Sequence, residues 1–197
     1  MKTASDFAPH AGNVLAFSTP RAFGAWLRRH HASSAGVWIR YYKKDSGVRS
    51  ITYAQALDEA LCWGWIDGQA KPLDERSWLQ RYTPRRARSG WSKRNRDQMA
   101  RLIEEGRMQP SGLAQVDAAK ADGRWAKAYD SPSASRVPAD FVEAVNQHRR
   151  AAAFFRTLNR ANLYAIAYRL QTAQKPETRA RRFEQLLQMM KDGKKLH

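Results

Sequence analysis

From Ser92 to the C-terminus the pattern is all helix: apolar residues recur every three to four positions. The strands must therefore come from the residues before Ser92. A chain with strands and helices segregated in this way folds as α+β rather than as alternating β–α units. Gly36 opens VWIRYYK, where β-branched and aromatic residues interleave with charge. WIDGQAK and SWLQRYT then flank PLDER, whose Pro, Asp and Glu suit a hairpin loop. In SWLQRYT, Trp78, Gln80 and Tyr82 share one face, with Leu79 and Arg81 on the other.

Helix boundaries are marked by their caps. Thr19-Pro20 starts a helix whose apolar face carries Phe23, Trp26 and Leu27 and which ends at His30-His31. Asp45-Ser46-Gly47 turns the chain, and Thr52 with Gln55 forms a capping box. Behind that box Tyr53, Ala56, Leu57, Ala60 and Leu61 line one face of a helix that stops at Gly64. Ser92 caps a helix to Gly106 with Met99, Leu102 and Ile103 inward, and Pro110-Ser111 starts another that stops at Gly123. The Ser- and Pro-rich residues 129–138 read as a linker, followed by three helices at about 139–157, 160–173 and 176–192. The expected organisation is an α+β domain over residues 1–128 with a small antiparallel sheet and helices, the linker, and a C-terminal three-helix segment, 139–197, packed on the first.

With 197 residues, 43% of them hydrophobic, the chain can bury an ordinary core. The one cysteine, Cys62, forms no internal disulfide, which fits a reducing compartment; at the end of an apolar helix face it reads as a buried hydrophobe rather than a nucleophile. MKTASDFAPHAGNVLAFSTP lacks the pattern of an export signal, and no apolar run is long enough to span a membrane, so a cytoplasmic protein is expected. His10, His30, His31, His148 and His197 show no metal-ligand spacing, and neither a metal nor another cofactor is expected. Nothing in the sequence sets an oligomeric state.

Charge is the strongest functional signal. The net charge of +17 is concentrated in two blocks: residues 76–101 hold nine Lys/Arg against Asp97, and residues 149–197 hold twelve against three acids. Blocks of this kind suit an anionic partner, either nucleic acid or a phosphate-bearing small molecule. Within RYTPRRARSGWSKRN, Arg81, Arg85, Arg86, Arg88 and Lys93 could converge on one anion together with the helix start at Ser92. Tyr82 and Trp91 flank them as stacking partners, and Trp65, Gln69 and Asn95 complete the candidate ligand set. The competing reading is a solvated loop whose arginines pair with Asp58, Glu59, Asp74 and Glu75. In CWGWIDGQ an extended backbone puts Trp65 and Asp67 on one face, where a desolvated carboxylate could serve as general acid or base; alternatively Asp67 caps a turn with Gly68 or pairs with an arginine. At the start of the last helix, Lys175, Arg179, Arg181 and Arg182 oppose the helix dipole, a conflict that a bound phosphate would relieve.

GVWIRYYKKDSGVRSITYAQALDEALCWGWIDGQ, followed by LQRYTPRRARSGWSKRN and GRMQPSGL, and the closing YAIAYRLQTAQKPETRARRFEQLLQMM resemble the bacteriocin-protection, YdeI/OmpD-associated family over nearly the whole chain. The resemblance implies an α+β head with a helical tail and a role in bacteriocin or stress resistance, and it brings no catalytic residue with it. Three functions follow: a basic module binding an anionic ligand or nucleic acid, an enzyme acting on a small anionic substrate with Asp67 as acid or base, and a scaffold acting through protein contacts.

Overall fold

The structure, a computed structural model, describes residue 9 and residues 13–130 and 134–196. His10, His197, most of the stretch read for an export signal, and residues 131–133 of the expected linker lie outside the described residues. Two compact units are present: Met1–Ser89 with Arg96–Ala126, and Gly90–Asn95 with Lys127–His197. No described helix is long and apolar enough to cross a membrane.

The chain begins β1 (Val14–Leu15), α1 (Pro20–His30), β2 (Val37–Tyr42), α2 (Tyr53–Cys62), β3 (Trp65–Asp74), β4 (Ser77–Pro84), and continues into α3 (Lys93–Glu104) and α4 (Pro110–Ala121). The sheet order is β1-β2-β4-β3. β2, β4 and β3 form the expected antiparallel core, and the two-residue β1 adds a parallel edge beside β2. The hairpin is tighter than PLDER suggests. Pro72 to Asp74 are still strand, and Asp74 accepts from the Arg76 backbone N–H (2.9 Å) and the Ser77 hydroxyl (2.7 Å) to close a short turn. Pro72 is tolerated because β3 is an edge strand.

The caps form as the sequence requires. The Thr19 hydroxyl accepts from the Ala22 N–H, and Thr52 and Gln55 make both bonds of the capping box. The apolar faces they launch bury Phe23 and Leu27 from α1 and Ala56, Leu57, Ala60 and Leu61 from α2. Ser92 caps α3 through the Asn95 N–H, but Ile103, expected inward, is 37% exposed, leaving Met99 and Leu102 as the buried residues of that helix.

In the second unit the stretch expected as one helix over 139–157 is two, α5 (Ala139–Asn146) and α6 (Arg149–Phe155), followed by α7 (Arg160–Gln171) and α8 (Pro176–Lys191). His148 between them is extended, with φ −122° and ψ 104°. Val145 and Ala151 are both wholly buried in one core with Phe141, Ile166, Leu186 and Met190. On a straight helix, residues six apart point about 120° away from each other, so the break is what lets both face inward. The short stretch around Ser92 also belongs here: it bridges Tyr129, which donates to the Trp91 carbonyl and accepts from the Lys93 N–H, both at 2.8 Å.

The C-terminal end of α2 docks on the first turn of α4. Cys62 O accepts from the Gln109 N–H (3.0 Å), and Trp63 O accepts from the Ser111 hydroxyl (3.0 Å). Burial pushes the Cys62 thiol up to about 11, which leaves little thiolate near neutrality. Gly112 makes this approach possible, because a Cβ there would collide with the Cys62 carbonyl, a backbone group that cannot swing away. Replacing Gly112 with Ala is therefore expected to destabilise the first unit by about 1–3 kcal/mol through overpacking, despite the better helix propensity of Ala. Chemical denaturation checks this, and an unchanged or raised midpoint would show that the two helices do not meet there.

Candidate anion-binding pocket

β4 divides the sheet into two chemically different faces. Opposed residues in an antiparallel ladder share a face, and successive residues alternate. Tyr82 lies opposite Val37 and Asp67, and Trp78 opposite Tyr41. This face is covered by α1 and α2: the Tyr82 ring meets Phe23 (5.6 Å between centroids), and Trp65 meets Trp26 edge-on (5.7 Å). Asp67 accepts a 2.7 Å hydrogen bond from the Tyr53 hydroxyl of α2. The hydroxyls of Tyr41 and Tyr82 pair at 2.9 Å, and Tyr41 stacks on Trp78.

The other face carries Trp38, Arg81, Thr83 and Ile66, with Trp38 opposite Arg81 and Ile66 opposite Thr83. A cavity of about 450 Å³ opens over it, lined by Ala35, Ile66, Gly68, Gln69, Arg81, Thr83, Pro84, Arg86 and Ser89. Three local features build it. The β3 ladder slips between Asp67 and Ala70, so Gly68 and Gln69 together oppose Arg81 alone, a β-bulge. Gln80, buried on the helix-covered side, holds the bulge by donating to the carbonyls of Gly68 (2.8 Å) and Gln69 (3.3 Å). The turn after β4 supplies Arg86 and Ser89, whose hydroxyl donates to the Arg86 carbonyl (2.8 Å) and whose own carbonyl accepts from Arg124 (3.0 Å). Gly36 lets the start of β2 press against this end of β4: its φ is +149°, and a Cβ would lie 3.0 Å from both the Thr83 methyl and the Tyr82 carbonyl.

No acidic side chain is among the described residues that line the cavity. Burial, and after it the neighbouring Arg86 cation, lowers the Arg81 guanidinium from its ordinary value. Most of the acids that might have neutralised the arginine-rich turn are engaged elsewhere. Asp58 pairs with Arg101 (2.7 Å) and Arg107 (3.5 Å), Glu59 with Arg107 (2.9 Å), and Asp74 with Arg40 (2.7 Å).

Of the residues singled out in the sequence, Gln69, Arg81 and Arg86 converge on this cavity. Trp65 and Tyr82 are core residues, not walls of a site. Asp67 sits on the opposite sheet face with Tyr53, away from Arg81. Arg85 is 7% exposed and donates its backbone N–H to Gly64 O (3.0 Å); Arg88 is exposed but not among the lining residues. Trp91, Lys93 and Asn95 belong to the second unit, where Trp91 is buried and Lys93 is ion-paired with Asp130 at 2.7 Å. The start of α3 is already served by protein groups, with Lys93 N–H on Tyr129 O and Asn95 N–H on the Ser92 hydroxyl. In α8, Arg179 pairs with Asp140 (2.6 Å), and Arg182 donates to the Arg169 carbonyl (2.7 Å). Sequence reading missed Gln80, Thr83 and Ser89. The two hydroxyls carry no signal of their own, and the role of Gln80 depends on a slipped register.

Burial raises the phenols of Tyr41 and Tyr82 well above the ordinary value of 10.0. The folded chain therefore holds protons that the unfolded chain releases, and its stability, complete below about pH 10, falls as pH rises further. In an ultraviolet titration of the seven tyrosines, two are expected to ionise only as the protein unfolds. Smooth ionisation of all of them near pH 10 with the near-UV circular dichroism intact would show that this buried pair is absent.

Among known protein families, residues 15–115 match the one described as Domain of unknown function (DUF8412). Residues 134–193 match the one described as Bacteriocin-protection, YdeI or OmpD-Associated. The cavity and the stretches ALDEALCWGWIDGQ and RYTPRR lie inside the first match, whereas the second covers α5 to α8. No curated protein and no solved structure matches the chain. The chain thus belongs to the DUF8412 family, and its residues 134–193 carry a bacteriocin-protection, YdeI or OmpD-associated domain.

Proposed function

We propose that the first unit is a binding module for a small oxyanion, held between Arg81 and Arg86. The observation that carries this is the pairing of two guanidinium groups in one cavity whose lining, among the described residues, contains no carboxylate. Two like charges beside each other at the edge of a low-dielectric wall repel, and an anion placed between them converts that repulsion into attraction. Each guanidinium also offers a planar fork of donors suited to phosphate or carboxylate oxygens. The volume lies within the usual range for small-molecule sites. A small ligand is favoured over nucleic acid because no aromatic ring lines the cavity and the expected stacking residues, Tyr82 and Trp91, are buried. Catalysis by Asp67 in this cavity finds no support, since its carboxylate is bonded to Tyr53 on the far face. The match of residues 134–193 to the family described as Bacteriocin-protection, YdeI or OmpD-Associated supports reading this binding in a resistance role.

The test is calorimetric titration of the full chain with inorganic phosphate, alongside thermal melts. Phosphate is expected to bind saturably and to raise the melting temperature. Arg86→Gln should weaken binding by about tenfold to a hundredfold, the range for a charge-assisted hydrogen bond. Without ligand, the same variant should melt at or above the wild-type temperature, because it removes a like-charge neighbour. Binding that survives both Arg81→Gln and Arg86→Gln would defeat the proposal. Salt-steep binding of single-stranded RNA unaffected by those changes would put nucleic acid in its place.

A further inference from the structure

The neutral groups around the two arginines specify more than a charge. Gln69 and Thr83 have no side-chain hydrogen-bond partner among the described residues, and the Ser89 oxygen, having donated its proton to Arg86 O, is left to accept. An amide and two hydroxyls are therefore arranged beside the guanidinium pair in the same cavity. Thr83 stands two residues from Arg81 on the same side of β4, about 7 Å along the strand. A ligand with hydroxyl groups beside its anionic group can meet both.

We infer that the cavity takes a phosphorylated polyol, with the phosphate on Arg81 and Arg86 and the hydroxyl groups on Gln69, Thr83 and Ser89; this rests on the anion-binding reading above. Phosphate is preferred to carboxylate by oxygen count and by charge. Two guanidinium groups on one carboxylate must share its two oxygens and its single charge, whereas a phosphate monoester offers three terminal oxygens and a charge approaching −2. A hydroxylated body is preferred to a nucleobase because the lining supplies amide and hydroxyl groups and no ring to stack on. Ile66, Pro84 and Ala35 give the apolar surface that one side of a sugar ring or a short carbon chain can lie against. The bulge contributes directly: doubling β3 opposite Arg81 brings Gln69 to the rim of a face it would leave under strict alternation.

Calorimetric titration of the full chain with inorganic phosphate, glucose 6-phosphate, adenosine monophosphate and glucose tests this. Glucose 6-phosphate is expected to bind at least about tenfold tighter than inorganic phosphate, the gain from two or three neutral hydrogen bonds. Adenosine monophosphate should bind more weakly than glucose 6-phosphate, and glucose alone should not bind. Thr83→Val, which preserves shape, and Gln69→Leu should each narrow the ratio of glucose 6-phosphate affinity to inorganic phosphate affinity, bringing the first towards the second. Circular dichroism melts of both variants confirm that they fold. If inorganic phosphate binds through the arginines but the sugar phosphate gains nothing over it, or adenosine monophosphate binds tightest, the polyol assignment is wrong and the anion site stands. If no phosphate compound binds, or binding persists in Arg81→Gln, both fall together.

Discussion

Side chains on β4 must alternate between the two faces of the sheet, and the burial of Tyr82 decides which face each takes. Its ring is enclosed by Phe23 and by its cross-strand neighbours Val37 and Asp67, and its hydroxyl is held by Tyr41. A one-residue slip of β4 would move this fully buried ring to the opposite face and bring Arg81 under α1 and α2, where an arginine would have to give up its hydration. The apolar demand of the face under α1 and α2 thus fixes which residues of β4 the other face receives. Arg81 and Thr83 reach the cavity because Tyr82 does not, and Gln80 lies on the covered side, where it can hold the bulge carbonyls without entering the cavity.

The charge of the first unit is arranged rather than merely abundant. Asp58 and Glu59 on α2, the acids best placed by number to balance the basic turn, are drawn to Arg101 and Arg107 at the α3–α4 junction. Those pairs are partly solvated and add little stability each. They engage Asp58 and Glu59 with residues outside the lining of the cavity. Burial raises the carboxyl of Glu59 above its ordinary value, and the Arg107 cation opposes that rise. At the proposed site an anion between Arg81 and Arg86 would offset their mutual repulsion, which would tie ligand binding to stability.

Sequence reasoning reached the elements through their caps and faces, because those signals are local. Thr19 with Pro20, Thr52 with Gln55, and the α2 stripe from Ala56 to Leu61 each act within a few residues. It also singled out Gln69, Arg81 and Arg86, which line one cavity, on residue type; strand parity alone would put Gln69 on the other face. It could not see that Gly68 and Gln69 share one partner, since a bulge exists only in the register between two strands. Nor could it see that Trp91 and Lys93 leave the arginine run: that depends on a bridge to Tyr129, far along the chain, and on Asp130. The break at His148 was hidden for the related reason that no Gly or Pro marks it, and only the demand that Val145 and Ala151 share one core requires it.

The basic start of α8 shows why a run of like charge is weak evidence until its partners are known. Cations at a helix N-terminus oppose the dipole of their own helix, which pointed to a phosphate. In the second unit Arg179 reaches back to Asp140 in the first turn of α5, and Arg182 donates to the Arg169 carbonyl in the last turn of α7. A cation at the C-terminal end of α7 is favourable to that helix and satisfies a carbonyl that lacks an intrahelical donor. The unfavourable placement on α8 is offset by a favourable one on α7, so no anion is needed there. The two basic blocks of the chain thus differ: around α8, Arg179 and Arg182 are engaged by the helices beside them, whereas the described residues lining the cavity beside Arg81 and Arg86 include no carboxylate.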